Sequence, residues 1–163
     1  MIRVENVSKC FNGKKRLDNV STEFERGKCN LIIGKSGSGK TVLMKCLVGL
    51  FSPDEGNIHF DDKIFCILSK EEKANLRKDI GMLFQGGALF DSMNVEENIM
   101  FPIRMFQKSD FKTMKKRVDF CLERVNLSGI NKLMPSELSG GMQKRVAIAR
   151  AIATQPKYLF CDE

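Results

Sequence analysis

Gly34-Lys35-Ser36-Gly37-Ser38-Gly39-Lys40-Thr41 is the stretch on which the reading of this 163-residue chain turns. It fits G-x-x-x-x-G-K-[ST] at every fixed position, and its flanks agree. Cys29 to Ile33 is a short apolar run without alternation, which predicts a strand buried on both faces. Thr41 to Leu50 reads as a buried helix. Strand, glycine-rich loop, helix is the local architecture of a phosphate cradle. Gly34, Gly37 and Gly39 let backbone N–H groups turn inward with no Cβ in the way, with Ser36 and Ser38 between them. The helix that follows aims the positive end of its dipole at the bound anion. Lys40 supplies a compact cation for the β- and γ-phosphates, and the Thr41 hydroxyl is a small neutral ligand for Mg²⁺.

Upstream of the loop, Ile2 and Val4, then Val20, Thr22 and Phe24, alternate with polar residues and predict strands. Asn12-Gly13 marks the turn between them. Downstream, Pro53-Asp54-Glu55-Gly56 is a turn. Ile58-His59-Phe60 and Ile64 to Ile67 flank Asp61-Asp62-Lys63 as a hairpin, and Ile80, Met82 and Phe84 predict a further strand ending at Gln85. From about Val95 to Ala153 the period becomes helical. Phe111, Met114, Val118, Cys121 and Val125 form one apolar stripe, and a later helix follows Ser139-Gly140-Gly141 and stops before Pro156. Tyr158-Leu159-Phe160-Cys161 reads as a buried strand that delivers Asp162-Glu163. Beside a phosphate loop, Asp162 can hold the Mg²⁺ shell, and Glu163 can orient or deprotonate an attacking water. Together these parts predict an α/β Mg-nucleotide hydrolase.

Composition narrows the classes. Apolar content of 42% with 29% charged residues fits a globular chain. The most apolar stretch, Thr41 to Phe51, contains Lys45 and is too short to span a bilayer. The formal charge is +7, and the window from Ile103 to Arg150 holds all of it, with eleven basic residues against four acidic. Such a face suits nucleic acid, anionic lipid or phosphate ligands, or is simply a solvated helix face. Aromatics do not interleave with these charges as single-strand binders require. The six cysteines lack zinc-ligand spacing, and Cys46 and Cys161 read as small core residues. The only histidine, His59, reads as a surface strand residue.

Leu138-Ser139-Gly140-Gly141-Met142-Gln143-Lys144-Arg145 resembles the signature of ATP-binding cassette proteins. The spacing of the other motifs agrees along essentially the whole chain. The resemblance implies an ABC-type α/β fold: a P-loop NTPase with a mixed sheet, an N-terminal antiparallel β subdomain and an inserted helical subdomain. Residues 1–85 and 155–163 would form the catalytic core with the β subdomain, and about 86–154 the helical subdomain. Gln85 would be the Q-loop glutamine, a ligand to Mg²⁺ and water. Phe11 would stack on adenine; its plainer alternative is a strand-end core residue. Ser139, Gly140 and Gly141 would bind the γ-phosphate of ATP held by a second cassette, so two cassettes must pair head to tail.

Gly86 to Ile99, with Phe101-Pro102, resembles the cassettes of Mla-type phospholipid transporters, relatives of toluene-tolerance and chloroplast lipid-import ATPases. By that resemblance a permease docks near residues 86–101, with Ala88, Leu89, Phe90 and Met93 in the groove, at the cytoplasmic face of the membrane. The family pattern continues past the acidic strand end with a switch histidine that His59 cannot replace. The chain is therefore expected to be the C-terminally truncated front of a longer cassette, with impaired hydrolysis. The alternatives are an importer for another solute and a soluble cassette ATPase acting on nucleic acid or ribosomes. Such soluble proteins usually carry a second cassette or a long coiled-coil insertion, so no nucleic acid is expected. A P-loop kinase has no use for Leu138 to Arg145.

Overall fold

A computed structural model describes residues 1–162, and its contacts divide the chain into two compact units, Met1–Leu76 and Arg77–Glu163. In the first unit, β1 (Ile2–Phe11) and β2 (Lys14–Phe24) form the expected hairpin, closed by Asn12-Gly13. Both turn residues have positive φ, 49° and 74°, which asparagine and glycine adopt most readily. β3 (Glu55–Phe60) and β4 (Lys63–Ile64) complete an antiparallel sheet of order β2-β1-β3-β4. The predicted strand to Ile67 is shorter than expected, because Phe65–Ile67 winds into a 3₁₀ turn that buries Phe65. Ile2, Val4, Val7, Leu17, Ile58 and Phe60 are buried, as are Leu43, Met44 and Leu47 of α1 (Lys40–Leu47). His59 is half-buried rather than a free surface residue, with Nε2 3.0 Å from Glu5 Oε2.

β1 bulges between Val4 and Val7, and Gly56 of β3 lies under the bulge at φ 81°. A Cβ there would collide with the carbonyl oxygens of Glu5 and Asn6. Backbone cannot yield as a side chain can. Gly56→Ala is therefore expected to cost about 3 kcal/mol of stability, read as a lower urea midpoint for the first unit with the slope unchanged.

One expected strand does not form in this unit, and one helix was not expected. Cys29 to Ile33 forms no strand; Leu31 and Ile33 are 79% and 84% exposed. A strand is held by its ladder, and among the described residues nothing pairs with this run. α2 (Lys70–Lys78), absent from the sequence reading, is polar all round and buries no residue.

The second unit joins a parallel pair, β5 (Ile80–Leu83) and β6 (Tyr158–Cys161), to three helices: α3 (Val95–Phe106), α4 (Phe111–Arg124) and α5 (Gly140–Ala151). Val95, Ile99, Ile103, Met114, Val118, Cys121 and Val146 form their shared core. The stripe predicted for α4 is right in its middle and wrong at its start. Phe111, the first residue of the helix, is 55% exposed, because the core ends one turn further in. β6 is only half-buried, and Cys161 is exposed rather than packed. Cys46 is fully buried, and burial pushes its thiol pKa up to about 11.

Candidate nucleotide site

The loop before α1 has the geometry its glycines predict. Gly37 and Gly39 sit at φ 77° and 97°, and the Ser38 N–H donates to the Lys35 carbonyl at 3.1 Å. No side chain caps α1 and no acid lies in its first turn, so its N-terminus keeps its positive end unneutralised. The Lys40 ammonium folds back over the loop and donates to the carbonyls of Gly34 at 2.8 Å and Lys35 at 3.1 Å. Those are weak neutral acceptors, which phosphate oxygens would replace with charged ones. Gly34 leaves room for Ser38; a Cβ there would stand 2.6 Å from Ser38 Oγ. Ser36 is exposed on the same loop, and Thr41 sits half-buried in the first turn of α1.

Gly39 also anchors the loop. A Cβ on it would lie 2.6 Å from the Arg16 carbonyl, so β2 passes directly against the loop's end. This brings the hairpin that carries Phe11 beside the candidate cradle. Phe11 itself is half-buried, edge-on to Phe51 at 5.1 Å, with the Lys9 ammonium 5.5 Å from its ring centre. It is thus partly a packing residue, as its plainer alternative held, and it keeps some exposure.

In the second unit, Gln85 follows β5 and Asp162 follows β6. Leu83 pairs with Cys161, and the Asp162 N–H extends the ladder to the Leu83 carbonyl at 2.9 Å. Gln85 and Asp162 therefore leave the carboxyl ends of neighbouring parallel strands, where open α/β sheets hold ligands. Asp162 is buried and Gln85 exposed. Glu163 lies outside the described residues.

Ser139 is the N-cap of α5 and accepts from the Met142 N–H at 3.3 Å. Leu138 is buried beneath it, while Ser139, Gly140 and Gly141 are exposed. A Cβ on Gly140 or Gly141 would meet nothing within 4 Å. Among the described residues, packing does not require those glycines. The residues present also fit Mg²⁺ chemically: a hydroxyl, an amide oxygen and a carboxylate are hard oxygen donors, and the cation keeps waters besides.

Sequence reasoning missed how the segment after Gln85 is held. Gly86, Gly87 and Ala88 all have positive φ, 75°, 80° and 45°, the last in a non-glycine residue. Arg150 of α5 braces this strained turn, donating to the carbonyls of Gly87 at 2.8 Å and Ala88 at 2.9 Å. Asn98 of α3 completes the frame by accepting from the Phe90 N–H at 2.8 Å and donating to the Met93 carbonyl at 2.8 Å. Gly87 packs on α5 so closely that a Cβ would stand 3.3 Å from Ala147. The turn after Gln85 and the helix after Ser139 are one mechanical piece. Arg150→Met is expected to speed amide exchange across residues 86–94 by about a hundredfold, since each charge-assisted bond contributes roughly 1.5 kcal/mol. Unchanged protection factors would remove the brace from the account.

Two lysines of the basic surplus are tied to one acid. Lys132 and Lys115 lie 3.0 Å and 3.6 Å from the buried carboxylate of Glu96. Burial alone would raise the Glu96 pKa; its hydrogen bond to Lys132 and the two ammonium charges outweigh that and lower it. The second unit also has an apolar groove of about 390 Å³, lined in part by Met82, Phe84, Phe90, Phe101, Pro102 and Phe106. Of the four residues expected in a docking groove, Ala88 and Phe90 line this one, whereas Leu89 packs against the helical core and Met93 is not among the lining residues. Among the described residues, no helix is long and apolar enough to cross a membrane.

Residues 17–163 match the family described as ABC transporter. The methionine import ATP-binding protein MetN of Clostridium tetani is 43% identical over 163 residues, which cover all of this chain and 51% of that protein. The intermembrane phospholipid transport system ATP-binding protein MlaF of Haemophilus influenzae is 42% identical, again over the whole chain and 62% of its own length. Among solved structures, an ATP-binding cassette dimer in a post-hydrolysis state, bound to ADP and Pi, superposes with a TM-score of 0.92 at 31% identity. That match covers all of this chain and 74% of the other. The chain thus spans between about half and three-fifths of the curated relatives' length.

Proposed function

This chain belongs to the ABC transporter family, and from that premise we propose that it is the Mg-dependent ATP-binding and hydrolysing subunit of a membrane transporter. The observation that carries the reading is Lys40 held on two loop carbonyls at an uncapped helix N-terminus. ATP phosphates entering the loop would take over the ammonium and the N–H groups at the start of α1, with Phe11 beside the base. Mg²⁺, when bound, neutralises charge on the β- and γ-phosphate oxygens. Thr41, Gln85 and Asp162 are the residues that would offer it oxygen atoms, Asp162 by way of water. Glu163 orients the attacking water. Ser139, Gly140 and Gly141 serve the γ-phosphate of a second, head-to-tail cassette, which the dimeric state of the similar cassette supports.

The partner is a permease. A short amphipathic segment would fit the groove lined by Phe84, Phe90 and Phe101, and the segment 86–101, which contributes Ala88, Phe90 and Phe101 to it, is braced to the signature helix by Arg150. The location that follows is the cytoplasmic face of the membrane, peripherally bound.

The transported substrate is a phospholipid or related lipid on the character of residues 86–101. The methionine importer at 43% identity supports a second reading, an amino-acid importer. Co-purification tests both. A polytopic membrane protein retaining phospholipid supports the first, and one binding methionine in place of lipid supports the second. Nucleic acid recovered in place of any membrane protein would sink the transporter reading.

A further inference from the structure

We infer that the turn joining α3 to α4 is a docking surface for anionic lipid headgroups, through which this chain touches a negatively charged bilayer directly. The inference does not depend on the nucleotide site. Arg104 at the end of α3, Lys108 on this turn, and Lys112 and Lys116 in the first turns of α4 are all exposed, and among the described residues they form no ion pair. The fifth cation of the segment, Lys115, is already engaged by Glu96 and Asp119. The segment's one acid, Asp110, is used as the N-cap of α4, where it accepts from the Thr113 N–H. Four like charges thus crowd a short stretch in which Asp110 is the one acid.

Two large apolar side chains stand among them. Met105 is 61% exposed and Phe111 is 55% exposed. The arrangement is fixed by the fold: Met114, Val118 and Cys121 commit the opposite face of α4 to the core, which turns Lys112 and Lys116 to solvent. Unpaired cations alone would fit any polyanion. Cations flanked by an exposed Phe and an exposed Met fit a surface that offers phosphates and, just beneath them, an apolar layer. Lysine stems can lie along that layer while their ammonium groups stay at the phosphates. Nucleic acid would answer the charge and leave Met105 and Phe111 in water. The sequence alone hid this, because the apolar stripe placed Phe111 in the core.

The test is flotation of the full chain with vesicles of phosphatidylcholine, with and without phosphatidylglycerol. Binding is expected only to the anionic vesicles and should weaken with salt. Each neutralised lysine should weaken it about fivefold, so Lys112→Gln with Lys116→Gln weakens it roughly twenty-five-fold. Phe111→Ser should weaken it further at a salt concentration that screens the charges. Lys14→Gln, in the first unit, and Lys40→Ala should leave vesicle binding unchanged. Equal partition onto neutral vesicles overturns the inference. So does unchanged binding by the double variant with its helical circular dichroism intact, loss of binding in Lys40→Ala, or displacement from vesicles by a DNA oligonucleotide.

Discussion

Replacing Lys40 with alanine is expected to lower the affinity for Mg-ATP by roughly a thousandfold. The ammonium makes two hydrogen bonds to loop carbonyls now, at 2.8 and 3.1 Å, and is free to exchange them for phosphate oxygens. Charge-assisted bonds of that kind contribute roughly 1.5–3 kcal/mol each, so losing two costs about 4 kcal/mol, or three decades in Kd. Part of the loss is offset, because the wild-type loop must give up its own lysine bonds before binding. Arginine is no substitute, since its planar fork is too large for a point-charge position between Gly34 and the helix start. Titration with a fluorescent ATP analogue in the presence of Mg²⁺ reads the effect. Lys35→Ala is the control: its carbonyl faces Lys40, while its exposed side chain stands outside that contact. Equal affinities for wild type and Lys40→Ala would end the phosphate-loop assignment.

What the sequence made legible was whatever is decided locally. The Asn12-Gly13 turn, the left-handed glycines at 37 and 39, and the Ser139 cap all follow from a few neighbouring residues. α2 was equally available and was passed over, because it has no apolar stripe. Its start is marked by Ser69-Lys70-Glu71-Glu72, where the Ser69 hydroxyl accepts from the Glu72 N–H at 3.2 Å and Glu72 accepts from the Ser69 N–H at 2.9 Å. The same reciprocal cap starts α3 at Asn94 and Glu97. What stayed hidden is non-local. A buried strand at Cys29 to Ile33 needs ladder partners that no local pattern supplies. Arg150 could be counted as a charge but not seen as a brace, since its acceptors are carbonyls about sixty residues away and any residue has a carbonyl. The candidate site was therefore readable as motifs, while the coupling between two of those motifs was not.

That coupling sharpens what a change at Ser139 should do. Ser139→Arg, made in a cassette of the relatives' full length, is expected to leave ATP binding by each monomer within about twofold and to lower hydrolysis at least about a hundredfold. Ser139 is exposed at the start of α5, beside two glycines whose Cβ positions open on empty space. An arginine there meets no obstacle within its own chain, so the fold should survive. The cost of the lost cap is about 1 kcal/mol, because one N–H, that of Met142, loses its acceptor. On the proposed head-to-tail pairing, what the arginine fills is the space a second cassette would enter. Its bulk would hold the γ-phosphate of the opposing nucleotide away from the N–H groups of Gly140 and Gly141. Because Gly87 packs on α5 and Arg150 ties α5 to the turn after Gln85, a dimer held open at Ser139 should also fail to reorder residues 86–94 when ATP binds. Light scattering with ATP reads the dimer, phosphate release reads hydrolysis, and amide exchange reads the turn. A variant that still dimerises and hydrolyses at the wild-type rate would place the γ-phosphate contact elsewhere. One that loses hydrolysis while dimerising normally would show that Ser139 acts on its own subunit's nucleotide rather than on its neighbour's.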